Sequence, residues 1–228
     1  MRVRKLLRKA APFALLPAEG DRGIAERGHR NYVGGRWDEI GQLQFDFLVS
    51  KGLTPDSYLL DIACGSLRLG VKAIPYLAAF HYLGIEKESG LVRVGLDEEL
   101  NAQVREEKDP QFVISDSFEF DKFGQKADFA IAQSLFTHLP APLVDLCFER
   151  LLPWLGANGV FYATFHETQR EIRNPRKPHA HGYFAYTETQ MLGFGERSGF
   201  TSNYIGDWGH PVGQMMVEYR PYTTENPR

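Results

Sequence analysis

Acidic residues and a glycine stand in this sequence where short apolar runs end. Asp61 lies in the first such run and is followed by Gly65, Glu86 ends the second run, and Asp116 follows the third. A glycine lets the backbone approach a ligand closely, and the first N–H groups of a following helix are free to donate. The carboxylate of Glu86, at a strand end, suits a bidentate contact with a ribose diol, and that of Asp116 can accept a hydrogen bond from an exocyclic amine. We therefore expect a ligand that carries both groups.

The elements that must position these residues alternate between strands and helices. Short apolar runs predict strands over residues 57–62, 82–86, 111–115, 127–133 and 159–165. Helical spacing of apolar residues predicts helices over residues 37–52, 68–80, 91–107 and 143–155. Strands that alternate with helices indicate a parallel sheet with right-handed crossovers, in which ligands bind outside the carboxyl ends of the strands.

The C-terminal part of the chain departs from this alternation. A helix over 187–199 begins with a Thr187-x-x-Gln190 capping box, and strands are predicted over 201–206 and 214–219. The connection between these strands has only about seven residues, whereas a parallel crossover needs a dozen or more. The last strand must therefore run antiparallel. The predicted fold is a doubly wound, mostly parallel seven-stranded α/β sheet with helices on both faces.

Composition limits the classes of protein to consider. The 228 residues are 43% hydrophobic and 24% charged, as in an ordinary globular domain, and the net charge of −3 does not favour a global electrostatic contact with nucleic acid. Cys64 and Cys147 lie far apart with no CxxC pair, so neither a disulfide scaffold nor a cysteine zinc site is expected. The pair His179-x-His181 has no third ligand at a fixed spacing, and we predict no metal site.

The first 30 residues are predicted to form a basic arm on a domain that covers residues 31–228. Residues 1–10 hold no acidic side chain and five basic ones, namely Arg2, Arg4, Lys5, Arg8 and Lys9. The apolar stretch that follows is interrupted by two prolines, which disfavours a cleaved signal peptide, and no run is long enough to cross a bilayer. We expect a cytoplasmic protein in which residues 1–18 make weak contact with the inner face of a membrane.

The ordered strand ends resemble those of the class I S-adenosylmethionine-dependent methyltransferases over about residues 35–220. Residues 61–65 are similar to the first motif of that class and Glu86 to its ribose-binding acid. Asp116 and Ser117 are similar to its adenine site. Two further segments match the fourth-strand and fifth-strand motifs, namely residues 133–139 and 158–159.

Two segments resemble a bacterial subgroup of that class more narrowly. Residues 63–68 read ACGSLR, against a GCGSLR-like first motif, and residues 207–214 read DWGHPVGQ, against a DWGHPRGQ-like segment. Ala63 stands where the class has its first glycine, and Leu67 where it has its third. We expect the methyl group of Ala63 to be tolerated through a negative φ.

The resemblance implies a Rossmann-like fold and a methyltransferase that uses S-adenosylmethionine. The cofactor contacts would come from Asp61, Ala63, Gly65, Glu86, Asp116, Ser117 and Gln133. The methyl acceptor would be a small molecule, with a hydroxyl of a sugar or a related metabolite as the leading class.

Two other functions fit part of the pattern. Glu86 also has the spacing of the ribose acid in a NAD-dependent oxidoreductase, but that fingerprint needs G-x-G-x-x-G and only Gly65 and Gly70 are available here. A catalytically silent cofactor-binding subunit is the other alternative, because Ala63 can mark a decayed site.

Two histidines are candidate catalytic bases. His138 follows the fourth strand, where the class carries out its acceptor chemistry, and His210 lies in the loop before the last strand, on the same predicted edge. A neutral imidazole can take a proton from an acceptor hydroxyl. A structural bond from His138 to a backbone carbonyl and a hairpin corner around His210 are the alternatives. Residues 166–183 form a long loop with basic side chains, which suggests contact with an anionic acceptor.

Overall fold

The computed structural model describes residues 16–222. Within that range the strands are β1 (Leu59–Ile62), β2 (Tyr82–Glu86), β3 (Gln111–Ile114), β4 (Ala127–Ala132), β5 (Leu155–Phe165), β6 (Phe200–Asp207) and β7 (Met215–Pro221). The α-helices are α1 (Gly20–Arg27), α2 (His29–Tyr32), α3 (Trp37–Ser50), α4 (Gly70–Tyr76), α5 (Ser89–Val94), α6 (Ala102–Lys108), α7 (Ala141–Leu151) and α8 (Glu188–Arg197).

The described strands form one seven-stranded sheet with the order β3-β2-β1-β4-β5-β7-β6. β1 pairs in parallel with β2 and β4, and β5 continues the parallel array beside β4. β7 runs antiparallel to both β5 and β6, so β6 is parallel to the first five strands. The predicted fold class is confirmed, including the antiparallel direction of the last strand.

Hydrophobic cores cover both faces of the sheet because alternate strand residues point to opposite sides. In β1, Leu60 and Ile62 belong to a cluster that contains Phe148 of α7, while Leu59 belongs to a second cluster with Leu48 of α3. All four residues of β1 are buried, as expected for a parallel strand between two layers of helices. The carboxyl edge of the sheet is therefore where side chains from several strand ends can meet a ligand.

The N-terminal helices pack on the domain, although the sequence predicted an arm up to residue 30. Ile24 and Tyr32 are buried in a small cluster with Leu91 of α5. Tyr32 Oη also accepts the backbone N–H of Gly20 at 3.0 Å, which joins the start of α1 to α2. The described part of the predicted arm is thus helical, and it begins to contact the domain before residue 31. Residues 1–15, with their five basic side chains, lie outside the described residues.

The single helix predicted over 91–107 is interrupted. α5 continues into a π-helical turn over Gly95–Glu99, and α6 begins afresh behind Asn101. The side chain of Asn101 accepts the N–H groups of Gln103 and Val104 at 2.9 and 3.3 Å, which makes it an N-cap. Capping chemistry therefore overrides the helical periodicity here. The capping box at Thr187 is present as predicted.

Candidate functional site

The loop after β1 adopts a glycine-type backbone at residues that are not glycine. Ala63, Gly65 and Leu67 have φ values of 62°, 58° and 70°. The expectation of a negative φ at Ala63 is wrong, and a left-handed conformation costs a residue with a Cβ about 1–2 kcal/mol. The N–H groups of Ala63 and Cys64 both donate to the carbonyl of Ile85, at 2.8 and 3.1 Å, and these bonds hold the loop against the end of β2.

Glu86 ends β2 directly beside this loop. Its Oε2 accepts the N–H of Gly65 at 3.0 Å, and its Oε1 accepts the N–H groups of Lys87 and Glu88 at 2.8 and 3.1 Å. The side chain is buried, at 6% exposure, and desolvation raises the pKa of its carboxyl against the opposing effect of these three N–H groups. The structure thus brings Glu86 and Gly65 together, as the sequence predicted.

Asp61 contacts a neighbouring strand. Tyr82 Oη donates to Asp61 Oδ2 at 2.7 Å inside the core. Burial raises the pKa of Asp61 to about 7, while the Tyr82 hydrogen bond and the charge of Arg68 act in the opposite direction. The hydrogen bond of Asp61 therefore connects β1 to β2, and a direct contact of Asp61 with a cofactor stays a prediction.

Asp116 and Ser117 lie two and three residues beyond the end of β3, on the same edge of the sheet. The N–H of Ser115 donates to the backbone carbonyl of Glu86 at 2.9 Å, which places this turn next to the end of β2. The N–H of Ser117 donates to Ser115 Oγ at 3.2 Å, and Asp116 is exposed. The carboxylate of Asp116 is thus exposed near the end of β2, and its contact with an exocyclic amine stays a prediction.

Gln133 is the centre of a polar network at the end of β4. Its Oε1 accepts a short hydrogen bond from Arg68 Nη2, and its Nε2 lies 2.8 Å from Ser134 Oγ and 3.0 Å from His210 Nε2. The network continues through Gln214, whose Nε2 donates to Ser134 Oγ at 2.7 Å. The amide of Gln133 therefore links the loop after β1, the end of β4 and the loop before β7.

His210 lies on the same sheet edge as the loop after β1, as the predicted strand order required. Because Gln133 Oε1 receives Arg68, its amide nitrogen faces His210 Nε2 and donates to it. Desolvation lowers the pKa of His210 to about 4, and the nearby charges of Arg68, His166 and Arg36 add to the effect. The ring is neutral at pH 7, and the nitrogen that faces Gln133 already accepts a hydrogen bond.

His138 is held by a backbone carbonyl. Its Nδ1 lies 2.9 Å from the carbonyl oxygen of Gly182, to which it donates. Desolvation lowers the pKa of His138 to about 4, against the effect of the Gly182 bond. This bond is the structural alternative considered for His138, but it also fixes the ring with Nε2 as the remaining acceptor. The two candidate histidines are not in hydrogen-bond contact with each other.

Arg68 and Ser134 are functional candidates that sequence reasoning missed. Arg68 stands inside the quoted ACGSLR segment, so its position was visible while its buried contacts were not. Ser134 has a φ of 63°, and its Oγ accepts two amide donors. Nothing in the residue type of Ser134 signals this backbone conformation, because a serine seldom adopts it.

Residues 16–36, called the cover segment below, lie over the loop after β1. Val33 Cγ1 would be 3.0 Å from a Cβ on Gly65, and His29 Nδ1 is 3.1 Å from Ser66 Oγ. At the other end, Glu19 accepts the N–H of Ala180 at 2.7 Å and the ammonium group of Lys87 at 3.2 Å. The cover segment thus bridges from the loop over 166–183 to the end of β2.

Residues 16–222 contain neither a membrane-spanning helix nor a cluster of metal ligands. No helix in that part of the chain is both long and apolar enough to cross a bilayer. The same residues hold no group of three or more histidine, cysteine, aspartate or glutamate side chains placed to bind a metal ion.

Comparison with known proteins shows the fold. No protein-family model matches the chain, and no curated protein matches it. Among solved structures, magnesium protoporphyrin IX methyltransferase from Synechocystis PCC 6803, with bound S-adenosylmethionine, is 16% identical at a TM-score of 0.64, with 87% of this chain and 91% of that chain covered. A S-adenosylmethionine-dependent methyltransferase from Clostridium acetobutylicum ATCC 824 is 11% identical at a TM-score of 0.63, with 89% and 99% covered.

The glycopeptide N-methyltransferase MtfA, complexed with S-adenosylmethionine, is a third similar structure. It is 14% identical at a TM-score of 0.59, with 80% of this chain and 94% of that chain covered. At such low sequence identities, the similarity shows the fold alone. The chain therefore has the Rossmann-like fold that these methyltransferases share.

Proposed function

We propose that the chain is a methyltransferase that binds S-adenosylmethionine at the carboxyl edge of the sheet and methylates a small molecule. The observation that carries the proposal is the buried carboxylate of Glu86, which ends β2 within hydrogen-bond distance of the Gly65 N–H. Carboxylates are seldom buried in proteins, and one at the end of a strand on the ligand edge of the sheet is a candidate binding group. Its two oxygens suit the two hydroxyls of a ribose.

The residues at this edge fit the chemistry of the cofactor. A carboxylate has about four lone-pair sites, and in Glu86 three of these accept backbone N–H groups. Since only one site is left for the two hydroxyls of a ribose, binding of the ribose has to displace at least one of the three N–H groups. The Gly65 bond crosses to the loop, so its replacement frees the Gly65 N–H to donate to the ligand. Asp116 and Ser117 follow β3, on the side of β2 that faces away from β1, and there they would contact the adenine.

The backbone of the loop argues against a decayed site. Ala63 and Leu67 keep the left-handed conformation that glycine adopts easily, at an energetic cost. Such strain persists where the surrounding structure enforces it, and it clusters at functional sites. We therefore favour an active enzyme over a catalytically silent subunit.

Orientation and exclusion of water are the main tasks of the protein in this reaction. When bound, S-adenosylmethionine supplies a methyl group activated by a sulfonium. The chain has to hold the acceptor in line with that methyl group, because a well-oriented reaction has a much lower barrier. The network around Gln133 fixes the end of β4 next to the loop, and the cover segment shields the loop from water.

His138 is the better candidate to contact an acceptor hydroxyl. Its Nε2 is left as an acceptor once Nδ1 donates to Gly182, whereas His210 Nε2 is used by Gln133. The low pKa of both rings keeps them neutral at pH 7, which suits acceptance of a hydrogen bond, although a pKa of about 4 makes each ring a weak base. We assign His210 to positioning of Gln133 and retain His138 as the candidate base.

The class of acceptor rests on the resemblance and on one loop. A sugar hydroxyl is the class that the bacterial subgroup suggests. The loop over 166–183 carries four exposed basic side chains, Arg170, Arg173, Arg176 and Lys177, and in the same loop the rings of His166 and Tyr183 are stacked. A loop that offers both cations and aromatic rings suits an acceptor that has both a ring and a negative charge.

Calorimetry tests the cofactor assignment. We expect S-adenosylmethionine to bind the native chain, and Glu86→Gln to weaken binding by about 2–3 kcal/mol because hydrogen bonds to a charged group are lost. Glu107→Gln, which changes an exposed carboxylate of α6 in the same way, is the matched control and should bind as the parent does. Unchanged affinity in a folded Glu86→Gln variant rejects the assignment. Binding of NADH but not of S-adenosylmethionine favours the oxidoreductase.

The basic residues 1–10 support a second proposal, that the chain makes contact with an anionic membrane face. Each basic residue near such a surface contributes about 1 kcal/mol. Deletion of residues 1–15 should abolish co-sedimentation with anionic vesicles and leave S-adenosylmethionine binding unchanged. Equal co-sedimentation of both chains rejects the contact.

A further inference from the structure

The guanidinium group of Arg68 is buried and forms no salt bridge with a carboxylate of residues 16–222, although the charge of Asp61 acts on it from a greater distance. Arg68 is 8% exposed, and burial lowers its pKa to about 10 while the charge of Asp61 opposes this, so the group is cationic at pH 7. Its hydrogen bonds go to uncharged oxygens: Nη1 donates to the carbonyls of Val33 and Gly35 at 3.2 Å each, and Nη2 to Gln133 Oε1. Buried charges are normally stabilised by a partner of opposite sign.

The guanidinium group has two N–H hydrogens left for such a partner. An arginine side chain carries five N–H hydrogens, and the bonds to Val33, Gly35 and Gln133 use three of them. The buried Nε of Arg68 has no acceptor among residues 16–222, and Nη2 keeps its second hydrogen. Two parallel N–H groups of a guanidinium match the two oxygens of a carboxylate. The chemistry that Arg68 lacks is therefore that of a carboxylate.

The position of Arg68 relates it to the proposed ribose contact. Glu86 ends β2, Arg68 follows the β1 loop and contacts Gln133 at the end of β4, and β1 lies between β2 and β4. Two interstrand spacings amount to about 10 Å. A ligand with its ribose on Glu86 can thus reach Arg68 with an arm of about that length, which is the order of length of the amino-acid arm of S-adenosylmethionine.

We propose that Arg68 binds the α-carboxylate of S-adenosylmethionine and so adds a cofactor contact to those expected from the strand-end motifs. The inference rests on the proposed function and names the residue that recognises the anionic end of that cofactor. The same guanidinium holds the carbonyls of Val33 and Gly35 in the cover segment. Binding of the carboxylate is therefore coupled to the seating of the cover segment.

The test compares two ligands that differ only in this carboxylate. Calorimetry with S-adenosylmethionine and with decarboxylated S-adenosylmethionine should show that the native chain prefers the carboxylated ligand by roughly 10- to 100-fold. In Arg68→Met the two affinities should come within threefold of each other. If the substitution disturbs the site in general, it weakens the binding of both ligands equally. The ratio of the two affinities therefore separates that effect from loss of the carboxylate contact.

Two further variants keep the result decisive. Arg197→Met removes an exposed arginine of α8 that pairs with Asp145, away from the cover segment, and it should retain the preference of the native chain. Arg68→Lys keeps the charge without the paired N–H groups, so its preference should be intermediate, and it replaces Arg68→Met should that variant not fold. An unchanged ratio in both Arg68 variants, as expected for a guanidinium that bonds only to water, overturns the assignment. Failure of the native chain to bind either ligand overturns the proposed function as well.

Discussion

The side chain of Gln133 has only one hydrogen-bonding position without a partner among residues 16–222, which is a lone pair of its amide oxygen. Both hydrogens of its amide nitrogen are used by Ser134 and His210, and its oxygen receives Arg68. The cofactor contact that the fourth-strand motif predicted for Gln133 stays a prediction, and one lone pair of its oxygen is left for it. Its role at this scale is to fix the positions of Arg68, Ser134 and His210 relative to one another.

Two substitutions separate the catalytic and structural roles of His138. Asparagine can place an amide N–H where Nδ1 donates to Gly182, but it has no atom in place of Nε2. His138→Asn should therefore keep stability and cofactor affinity and lose roughly 10²–10⁴-fold in turnover, if Nε2 contacts the acceptor. The measurement is methyl transfer to an acceptor obtained by screening.

His138→Gln is the matched comparison, because its amide reaches the Nε2 position and loses the Gly182 bond. It should melt earlier than His138→Asn and retain more activity per folded molecule. Equal turnover of His138→Asn and the parent would leave His138 with the structural role alone.

At the residue scale, the sequence predicts which residues stand at strand ends but not how they are bonded. Glu86 was found because an acid after a buried strand is unusual, and Gly65 because glycine permits the turn. Arg68 and Ser134 were missed because their roles depend on burial and on partners more than 30 residues away in sequence. The positive φ of Ala63 was wrongly excluded because residue type alone gives alanine a negative φ, and contacts to β2 decide otherwise.

At the scale of elements, the cover segment is attached through charged groups at each end. Glu19 contacts Ala180 and Lys87, and Arg30 donates from Nε and Nη2 to the two oxygens of Glu99, at 2.6 Å each. Burial raises the pKa of Glu19, but the Ala180 N–H and the charge of Lys87 outweigh this and lower it overall. The carboxylate form of Glu19 is thus favoured by these contacts of the cover segment.

Loss of the Glu19 charge should loosen this attachment. In Glu19→Gln we expect amide hydrogen exchange to accelerate within Gly20–Arg27 and S-adenosylhomocysteine to dissociate roughly 3- to 10-fold faster, because a charged contact is replaced by a neutral one. Hydrogen exchange and stopped-flow dissociation measure these effects.

The control for this prediction is Glu26→Gln in the same helix. Glu26 pairs with Arg22 on the exposed side of α1, so its substitution removes an equal charge without touching the attachment. If Glu19→Gln and Glu26→Gln behave alike, the contacts of Glu19 do not hold the cover segment.

At the scale of the whole molecule, the pH dependence of stability combines two histidines, whose pKa is lowered by folding, with one aspartate, whose pKa is raised by folding. The pKa of His138 and that of His210 are about 4 in the folded chain, below the ordinary 6.5, so the unfolded chain binds more protons and stability falls as pH falls through this window. The pKa of Asp61 is raised from 3.8 to about 7, so its contribution is lost as pH rises through that range.

Asp61→Asn isolates one of these contributions. Asparagine can still accept the Tyr82 hydrogen bond and has no charge to bury, so the melting temperature of the variant relative to the parent should rise between pH 5 and pH 8. Thermal melts of both chains at the two pH values measure this, with the exposed Asp56→Asn as control. A difference that stays constant between the two pH values contradicts the assignment of a buried, titrating Asp61.

The overall architecture was the most predictable level. Apolar runs, helical spacing and one short connection are enough to predict six parallel strands and one antiparallel strand, because these patterns reflect local periodicity and the length of a crossover. The packing of α1 and α2 on the domain was not predictable, since Ile24 and Tyr32 become buried against residues that are distant in sequence, namely Leu91 and, for Tyr32, the ring of His181. Local patterns predict elements, and distant contacts decide where the terminal ones attach.

The position of β7 has a consequence for how the protein is made. β7 is the last described strand in chain order, yet it lies inside the sheet and pairs with β5 on one side and β6 on the other. During synthesis, β5 and β6 are both complete before β7 leaves the ribosome, and each has an unpaired edge in the meantime. Unpaired edges are sites of aggregation. Translation that stops before residue 215 therefore leaves two open edges in the middle of the sheet, and such chains should be cleared or aggregate, although every residue of the proposed cofactor site is present.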